Sequence, residues 1–332
     1  MQRVLGERDQ YFAAAEGGPM SAAFLFPGQG SQFVGMGSDY LKAYPSVAHR
    51  FEQAGECLGT DLKRVVSRGP RNVLVQTDFA QVAIYTLSVA IAELLAARGI
   101  APVAVAGHSL GQFSALAAAG AMTFEDGLSL VADRSRLMHE QNQALDGSMF
   151  AVTGLDLDAI ERAVDGVGEV WIANHNAPGQ IVLSGLRSAL NEAQARLLAA
   201  GGKAAWLDVA GPYHTPLLAA AAERFSLSVQ RTTLRDATVP LVANSDAALL
   251  SRAEALRAEL HRHMLLPVRW AETMQRIAAM DVRLLVEVGP GKVLKGLALR
   301  NVPDIRCVGT DSARELEQAR TTLQEVSSCA FL

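Results

Sequence analysis

A serine between two apolar segments has the surroundings of a nucleophile. Ser109 is the centre of a Gly-x-Ser-x-Gly sequence over residues 107–111, directly after the apolar run Val103–Ala106 and before the helix-prone Phe113–Ala119. At such a strand-to-helix turn the serine sits on a strained elbow. The helix N-terminus places the Leu110 amide where negative charge develops during attack on a carbonyl. The pattern therefore predicts acyl chemistry at Ser109, with a plain turn serine as the alternative.

A serine hydroxyl needs a base, and histidine is the usual one. The chain has seven histidines. Four of them lie among charged or polar residues and are expected at the surface: His49, His139, His261 and His263. His214 instead follows the predicted strand Ala204–Val209, on a loop at a strand end, where α/β proteins carry catalytic groups. Position alone leaves a structural role for His214 open.

Arg134 lies on the apolar face of a predicted helix. Its neighbours three and four residues away are all apolar: Leu130, Val131, Leu137 and Met138. An unpaired buried charge costs several kcal/mol, so this guanidinium must find an anion. The anion could be a bound ligand, but from the residues alone an internal Asp or Glu, or a side chain that reaches out to water, is the favoured explanation.

A glycine-rich segment over residues 28–32 invites a nucleotide-binding interpretation, which fails. The dinucleotide fingerprint would need a glycine at Phe33, and no Lys-Ser or Lys-Thr pair follows. The segment is better suited to presenting backbone N–H groups, with Gln29 as a second donor to an oxyanion. The later Gly289–Lys292 segment also lacks a phosphate-loop pattern and is predicted to be a tight turn.

The order of apolar runs indicates an α/β fold. Runs at Ala22–Phe26 and Val103–Ala106 end at glycine turns, and segments of helical spacing follow them. Residues 149–209 change to the order βαββαβ, the ferredoxin-like pattern. We therefore expect a large α/β unit over 21–147 and 208–325, an inserted ferredoxin-like unit over 148–207, and a mobile N-terminal extension over 1–20.

Composition excludes several classes of function. Thirty Lys and Arg against 34 Asp and Glu give a net charge of −4, with no run of like charge suited to nucleic acid or anionic lipid. The three cysteines show no disulfide or zinc spacing. No uninterrupted apolar stretch of about 18 residues is present, and the first 20 residues are too charged for a signal peptide. We expect a cytoplasmic protein with no membrane or nucleic-acid partner.

Taken together, these motifs resemble the malonyl-CoA:acyl-carrier-protein transacylase family. The resemblance runs from about Ala22 to Leu299 and includes these segments: 26–32, 107–111, Arg134 with Met138, 172–180, 211–214, 266–270 and 286–291. It implies a hydrolase-like α/β core with a parallel sheet and an inserted ferredoxin-like subdomain. It also implies transfer of a malonyl group from CoA to the phosphopantetheine thiol of an acyl carrier protein, through an acyl-serine and without a metal or bound cofactor. We expect the protein to act as a monomer.

The resemblance also implies the role of each site residue. Carried onto this chain, the site comprises the nucleophile Ser109, the base His214, the oxyanion-hole amides of Gln29 and Leu110, the substrate-binding side chains Arg134, Met138 and Tyr213, and the His263 main chain. In this family no aspartate completes a triad, and a backbone carbonyl near Leu266–Pro267 orients the base. The carboxylate clamp predicts that plain acyl groups are poor substrates.

Three positions depart from the commonest pattern of the family. Gln112 replaces Glu, Ser135 replaces Gly, and Tyr213 replaces Phe. An aromatic residue at 213 resembles malonyl-selective members, but its hydroxyl could contact a polar α-substituent. Hydroxymalonyl or aminomalonyl units are therefore a second hypothesis for the acyl group.

Three other kinds of protein compete with the transferase. An editing acyl hydrolase of the same fold differs only in the access of water to the acyl-enzyme. An ordinary α/β-hydrolase esterase is disfavoured, because its histidine lies near the C-terminus and no histidine follows His263. A non-catalytic docking module is disfavoured because Ser109, His214 and Arg134 are all present.

Overall fold

The computed structural model describes residues 21–209 and 211–328. The extension expected over residues 1–20 lies outside the described residues. The described residues form ten strands, β1 to β10 in chain order: Ala22–Phe26, Ala104–Gly107, Gly147–Thr153, Val170–Ala177, Gln180–Leu186, Lys203–Trp206, Leu241–Val242, Leu249–Leu250, Leu284–Glu287 and Arg306–Gly309. They also form fourteen α-helices, α1 to α14: Ser38–Ala43, Pro45–Leu58, Leu62–Arg68, Arg71–Leu74, Thr77–Ala96, Gly111–Ala118, Phe124–Ala144, Leu157–Val164, Arg187–Ala199, Ala219–Arg231, Ala253–Arg262, Trp270–Ala278, Val293–Asn301 and Ala313–Ser328.

Six strands form the larger sheet, in the order β10-β9-β1-β2-β7-β8. All neighbours are parallel except β8, which runs antiparallel to β7. The register pairs Phe26 with Gly107, the last residues of β1 and β2. The loops that carry Gln29 and Ser109 therefore leave the sheet side by side at one edge, where α/β proteins place their ligands.

Side chains of β1 alternate between the two faces of this sheet, as the two-residue period of a strand requires. Phe24 and Phe26 enter a large core shared with α5, α6 and α7. Ala23 and Leu25 enter a second core shared with α12 and α13. With both faces covered by helices, the central strands β1 and β2 are apolar throughout, as is typical of parallel sheets.

Helix α5 is long and apolar enough to cross a membrane by length and composition alone, with a mean hydropathy of 1.7. However, 83% of its most apolar window is buried inside the protein. That burial is typical of the central core helix of a soluble domain, and it gives the helix no apolar face to offer to lipid.

Residues 147–206 form the smaller sheet, in the order β4-β5-β3-β6 with all neighbours antiparallel. Helices α8 and α9 pack on it and share its separate core. The element order is β3-α8-β4-β5-α9-β6. The predicted α/β class, with a parallel sheet and a ferredoxin-like unit, is therefore confirmed.

Three details differ from the expectation. The strand expected at Ala204–Val209 ends at Trp206, because Leu207 and Val209 turn away to pack on the larger core. The short strands β8 and β10 were not predicted. Both lie at sheet edges and are only partly buried, so neither shows the apolar run of a central strand.

Candidate active site

Ser109 lies on the turn between β2 and α6, in a left-handed conformation with φ of 50°. The turn is tight enough to require its two flanking glycines. A Cβ on Gly107 would collide with the backbone of Gly111, and one on Gly111 would collide with the carbonyl of Phe26. The strained elbow expected from the Gly-x-Ser-x-Gly pattern is present, and it leaves the serine partly accessible.

His214 lies beside Ser109, although 105 residues separate them in the chain. Its Nε2 is 2.8 Å from the Ser109 Oγ, and its Nδ1 is 2.9 Å from the carbonyl oxygen of Leu266. Since that carbonyl can only accept, Nδ1 carries the proton and Nε2 is free to take one from the serine. Leu266 thus holds the ring in the tautomer that a general base needs.

The pKa of His214 is lowered to about 3, chiefly because the ring is buried and also because the Arg134 guanidinium lies nearby. Both effects disfavour the imidazolium ion. The resting base is therefore neutral, and it gains its proton only when negative charge develops next to it.

His263 is where the structure differs most from the sequence interpretation. We expected its side chain at the surface, but it is 2% exposed, and its ring packs edge-on against Phe113 and His214. Neither ring nitrogen has a hydrogen-bond partner among the residues that the structure describes. The carbonyl that orients the base is that of Leu266, which accepts the Nδ1 proton of His214. The main chain of His263 also raises the pKa of His214, but by less than Leu266 does. The polar neighbours Arg262 and His261 hid this burial, because helix α11 ends at Arg262 and the chain turns inward.

Arg134 is fully buried, as its apolar helix neighbours indicated, with 1% of the residue exposed. Its Nη1 donates to Gln81 Oε1 at 2.6 Å and its Nη2 donates to Ser109 Oγ at 3.1 Å, while Nε has no partner in the described part of the chain. Within the described ranges 21–209 and 211–328, no carboxylate pairs with this guanidinium. Burial lowers the pKa of Arg134 to about 10, which leaves it charged at neutral pH. The alternatives of an internal Asp or Glu and of a side chain in water therefore find no support.

Gln81 was missed from the sequence. It lies on the largely apolar helix α5 and is fully buried. Besides accepting from Arg134, it donates to Gln29 Oε1 at 3.1 Å and to the sulfur of Met138 at 3.6 Å. The test applied to Arg134 does not find it, because two of its four neighbours at helical spacing, Thr77 and Asp78, are polar.

The two backbone N–H groups expected to bind an oxyanion are both available as donors. Gln29 N and Leu110 N donate no hydrogen bond to any residue in the described part of the chain. A Cβ on Gly28 would collide with the carbonyl of His108, so the loop of Gln29 lies directly against the elbow. Two free donors beside a nucleophile can stabilise a tetrahedral intermediate.

Tyr213 lies directly before His214 and is buried, and its hydroxyl contacts other side chains of the protein. The hydroxyl lies 2.8 Å from Thr77 Oγ1 and accepts a 2.8 Å hydrogen bond from Asn142. These partners use the hydrogen-bonding capacity of the hydroxyl and fix the loop that precedes His214. The structure therefore gives no support to a contact between this hydroxyl and a polar α-substituent.

The smaller sheet reaches the site through β4. His108 Nε2 lies 2.8 Å from Asn176 Oδ1, and Val268 N donates to the Ala173 carbonyl at 2.8 Å. Val268 is two residues from Leu266, whose carbonyl orients the base. The inserted unit thus supports both the elbow and the loop opposite it.

Comparison with known proteins identifies relatives of matching length. The acyl transferase domain family matches residues 23–322. The malonyl CoA-acyl carrier protein transacylase of Bacillus subtilis (strain 168) is 37% identical over 308 residues, covering 91% of this chain and 97% of the relative. The Escherichia coli (strain K12) protein of the same name is 40% identical over 285 residues, covering 84% and 92%.

Solved structures give the same result. An acyl carrier protein S-malonyltransferase from Vibrio cholerae superposes with a TM-score of 0.86 at 36% identity, covering 90% of this chain and 99% of that one. A malonyl-transacylase in complex with its type II polyketide synthase acyl carrier protein superposes with a TM-score of 0.87 at 38% identity, covering 90% and 98%.

Proposed function

The chain belongs to the acyl transferase domain family, and from that premise we propose that it transfers a malonyl group from CoA to the phosphopantetheine thiol of an acyl carrier protein. The relatives are named malonyl CoA-acyl carrier protein transacylases, and a similar solved structure is a malonyl-transacylase in complex with an acyl carrier protein. The product, a malonyl carrier protein, serves chain extension in fatty-acid or polyketide synthesis.

The observation that carries the choice of acyl group is the environment of Arg134. The guanidinium is buried and charged, and its hydrogen-bond partners among the described residues are all neutral. A substrate carboxylate would supply the missing anion, in a place where water does not screen the attraction. Malonyl-CoA carries such a carboxylate two bonds from its thioester carbonyl, whereas acetyl-CoA carries none.

The first half-reaction forms the acyl-enzyme. Ser109 Oγ attacks the thioester carbonyl while His214 Nε2 takes the hydroxyl proton, and the oxyanion accepts hydrogen bonds from the amides of Gln29 and Leu110. The carbon–sulfur bond then breaks, and the CoA sulfur leaves with the proton from His214. Each oxyanion donor contributes about 2.7–4 kcal/mol to the transition state.

The second half-reaction reverses these roles. The phosphopantetheine thiol gives its proton to His214 and attacks the ester carbonyl of the acyl-serine. The bond to Ser109 Oγ breaks, and the serine recovers its proton from His214. Both halves use the same groups, so the reaction is ping-pong and needs no third reactant.

Further assignments accompany this function. The proposed carboxylate site comprises Arg134, with Gln81 and Met138 beside it, and the Tyr213 ring closes the acyl pocket. We assign residues 21–147 and 208–325 to the large subdomain and 148–207 to the small one. The protein is proposed to act in the cytoplasm as a monomer, with no bound metal or cofactor.

A panel of CoA thioesters tests the choice of acyl group. The chain is mixed with malonyl-, acetyl-, methylmalonyl- or hydroxymalonyl-CoA, and the covalent adduct is followed by intact-mass spectrometry. We expect malonyl to load fastest and acetyl to load poorly. Equal loading of acetyl and malonyl would contradict the carboxylate site, and a preference for hydroxymalonyl would favour the substituted extender unit.

A further inference from the structure

Asn244 follows strand β7 and lies against the nucleophile elbow, with 2% of the residue exposed. Its Oδ1 accepts the Ser109 N–H at 2.8 Å, and its Nδ2 donates to the Gly107 carbonyl at 2.7 Å. Only one orientation of the amide satisfies both contacts. The flipped amide would place its NH2 group against the Ser109 N–H and its oxygen against the Gly107 carbonyl. The side chain therefore continues the pairing of β2 with β7 past the end of both strands.

The elbow needs such a support because its conformation is unfavourable. Ser109 has a positive φ, which residues with a Cβ adopt rarely and keep only when the surrounding structure fixes them. Asn244 forms hydrogen bonds to the backbone at both ends of this turn, at the Gly107 carbonyl and the Ser109 N–H. Without these two hydrogen bonds, Ser109 would relax to a more favourable backbone conformation. Its Oγ would then move away from His214, and the amide of Leu110 would change direction.

A second layer of buried groups holds Asn244 itself. Gln112 Oε1 accepts the backbone N–H of Asn244 at 2.9 Å, and Gln112 Nε2 donates to Glu259 Oε1 at 3.4 Å. Glu259 also accepts from the Ser245 backbone at 3.2 Å and from its hydroxyl at 2.6 Å. Both Gln112 and Glu259 are almost completely buried.

This layer gives a reason for Gln112, where the resembled family usually has glutamate. A glutamate would still accept from Asn244 N, but it would set a second carboxylate against Glu259 in a buried place. Like charges at such a distance repel strongly. Gln112 and Glu259 are therefore a matched pair.

We propose that Asn244 is a positioning residue for acyl transfer, which fixes the Ser109 elbow and is itself held by the Gln112–Glu259 pair. The inference rests on the proposed function, because it gives Asn244 its role through the nucleophile of that reaction. It predicts a loss in the chemical step and not in the binding of malonyl-CoA.

The first test measures single-turnover acylation by malonyl-CoA in Asn244→Ala and in Asn244→Asp, which preserves the volume of the side chain. Both should acylate on the order of 10- to 100-fold more slowly, with KM unchanged, since small misplacements of reacting groups reduce rates by this much. Tyr40→Phe is the control, because it removes a buried hydrogen bond to the Thr310 carbonyl, and neither residue contacts the elbow, Asn244 or the Gln112–Glu259 pair among the described residues. It should acylate at the wild-type rate.

The outcomes separate this inference from the proposed function. If the wild-type chain does not load malonyl, the proposed function fails. If the wild type loads and the Asn244 variants load equally fast, or if Tyr40→Phe is as slow as they are, the positioning role is overturned. A rise in KM with unchanged kcat would also overturn it.

The second test exchanges the matched pair. Gln112→Glu alone should slow acylation, and adding Glu259→Gln should restore most of the rate by returning one amide and one carboxylate to the pair. A double variant no faster than Gln112→Glu would overturn the role of the pair in holding Asn244.

Discussion

Replacing Arg134 by alanine should change which acyl group the protein accepts. In the wild type the guanidinium is buried and hydrogen-bonded to the neutral groups of Gln81 and Ser109, so the charge of a bound carboxylate is balanced by Arg134 alone. Truncating one partner of a buried, hydrogen-bonded charge pair costs about 2–5 kcal/mol. That range corresponds to about 30- to 5,000-fold in kcat/KM.

We expect the fold loss in kcat/KM for malonyl-CoA to lie in the upper half of that range, because the structure offers the carboxylate no second cation among the contacts of Arg134. Acetyl-CoA should behave differently. It leaves the guanidinium without an anion in the wild type, and the variant removes that penalty. The ratio of kcat/KM for malonyl-CoA to kcat/KM for acetyl-CoA should therefore decrease by at least the same factor as kcat/KM for malonyl-CoA.

The assay measures kcat/KM for both thioesters by release of CoA, with an acyl carrier protein as acceptor. Arg134→Met fills more of the vacated volume and should show the same change, which separates the charge from the cavity. Arg136→Ala is the matched control, since Arg136 lies on the same helix with half of its side chain exposed, paired with Asp133 and Glu140. An unchanged malonyl-to-acetyl ratio in Arg134→Ala would refute the carboxylate site.

Three further predictions concern the nucleophile, its base and the pocket wall. Ser109→Ala should abolish the acyl adduct seen by intact-mass spectrometry, and a persisting adduct would place the nucleophile elsewhere. The pKa of His214 is lowered to about 3, so its neutral, basic form persists into acid. The pH profile of kcat/KM should thus show no acid limb near the ordinary histidine pKa of about 6.5, and a limb there would contradict the burial argument. Tyr213→Phe removes two hydrogen bonds from a hydroxyl that faces the protein. It should lower the free energy of unfolding by about 1–3 kcal/mol and leave the malonyl-to-hydroxymalonyl preference unchanged, whereas a shift in that preference would show that the hydroxyl contacts substrate.

Local patterns in the sequence were enough to predict the elbow and the buried arginine. The Ser109 turn is specified by two glycines within five residues, and the burial of Arg134 follows from its helical neighbours. Both are short-range signals, because one turn or one helix determines them. The βαββαβ order of the smaller sheet was readable for the same reason, since each element is a contiguous apolar pattern.

The remaining parts of the site depend on distant packing. His214 meets Ser109 only because β2 and the loop after β6 converge, and sequence position left its role open. Gln81, Asn244 and His263 are polar residues whose burial is decided by other elements. His263 stands in a polar stretch, and Asn244 follows an apolar run at a strand end, but neither position by itself shows that the side chain turns inward.

The transfer of one malonyl group between two proteins tests the central claim most directly. The chain is loaded with malonyl-CoA, freed of CoA, and then mixed with a holo acyl carrier protein, while intact masses of both proteins are followed in time. We expect the malonyl mass to leave this chain and appear on the carrier protein in equal amount. Loss of the adduct to free malonate, with the carrier protein unmodified, would contradict the transferase and identify a hydrolase.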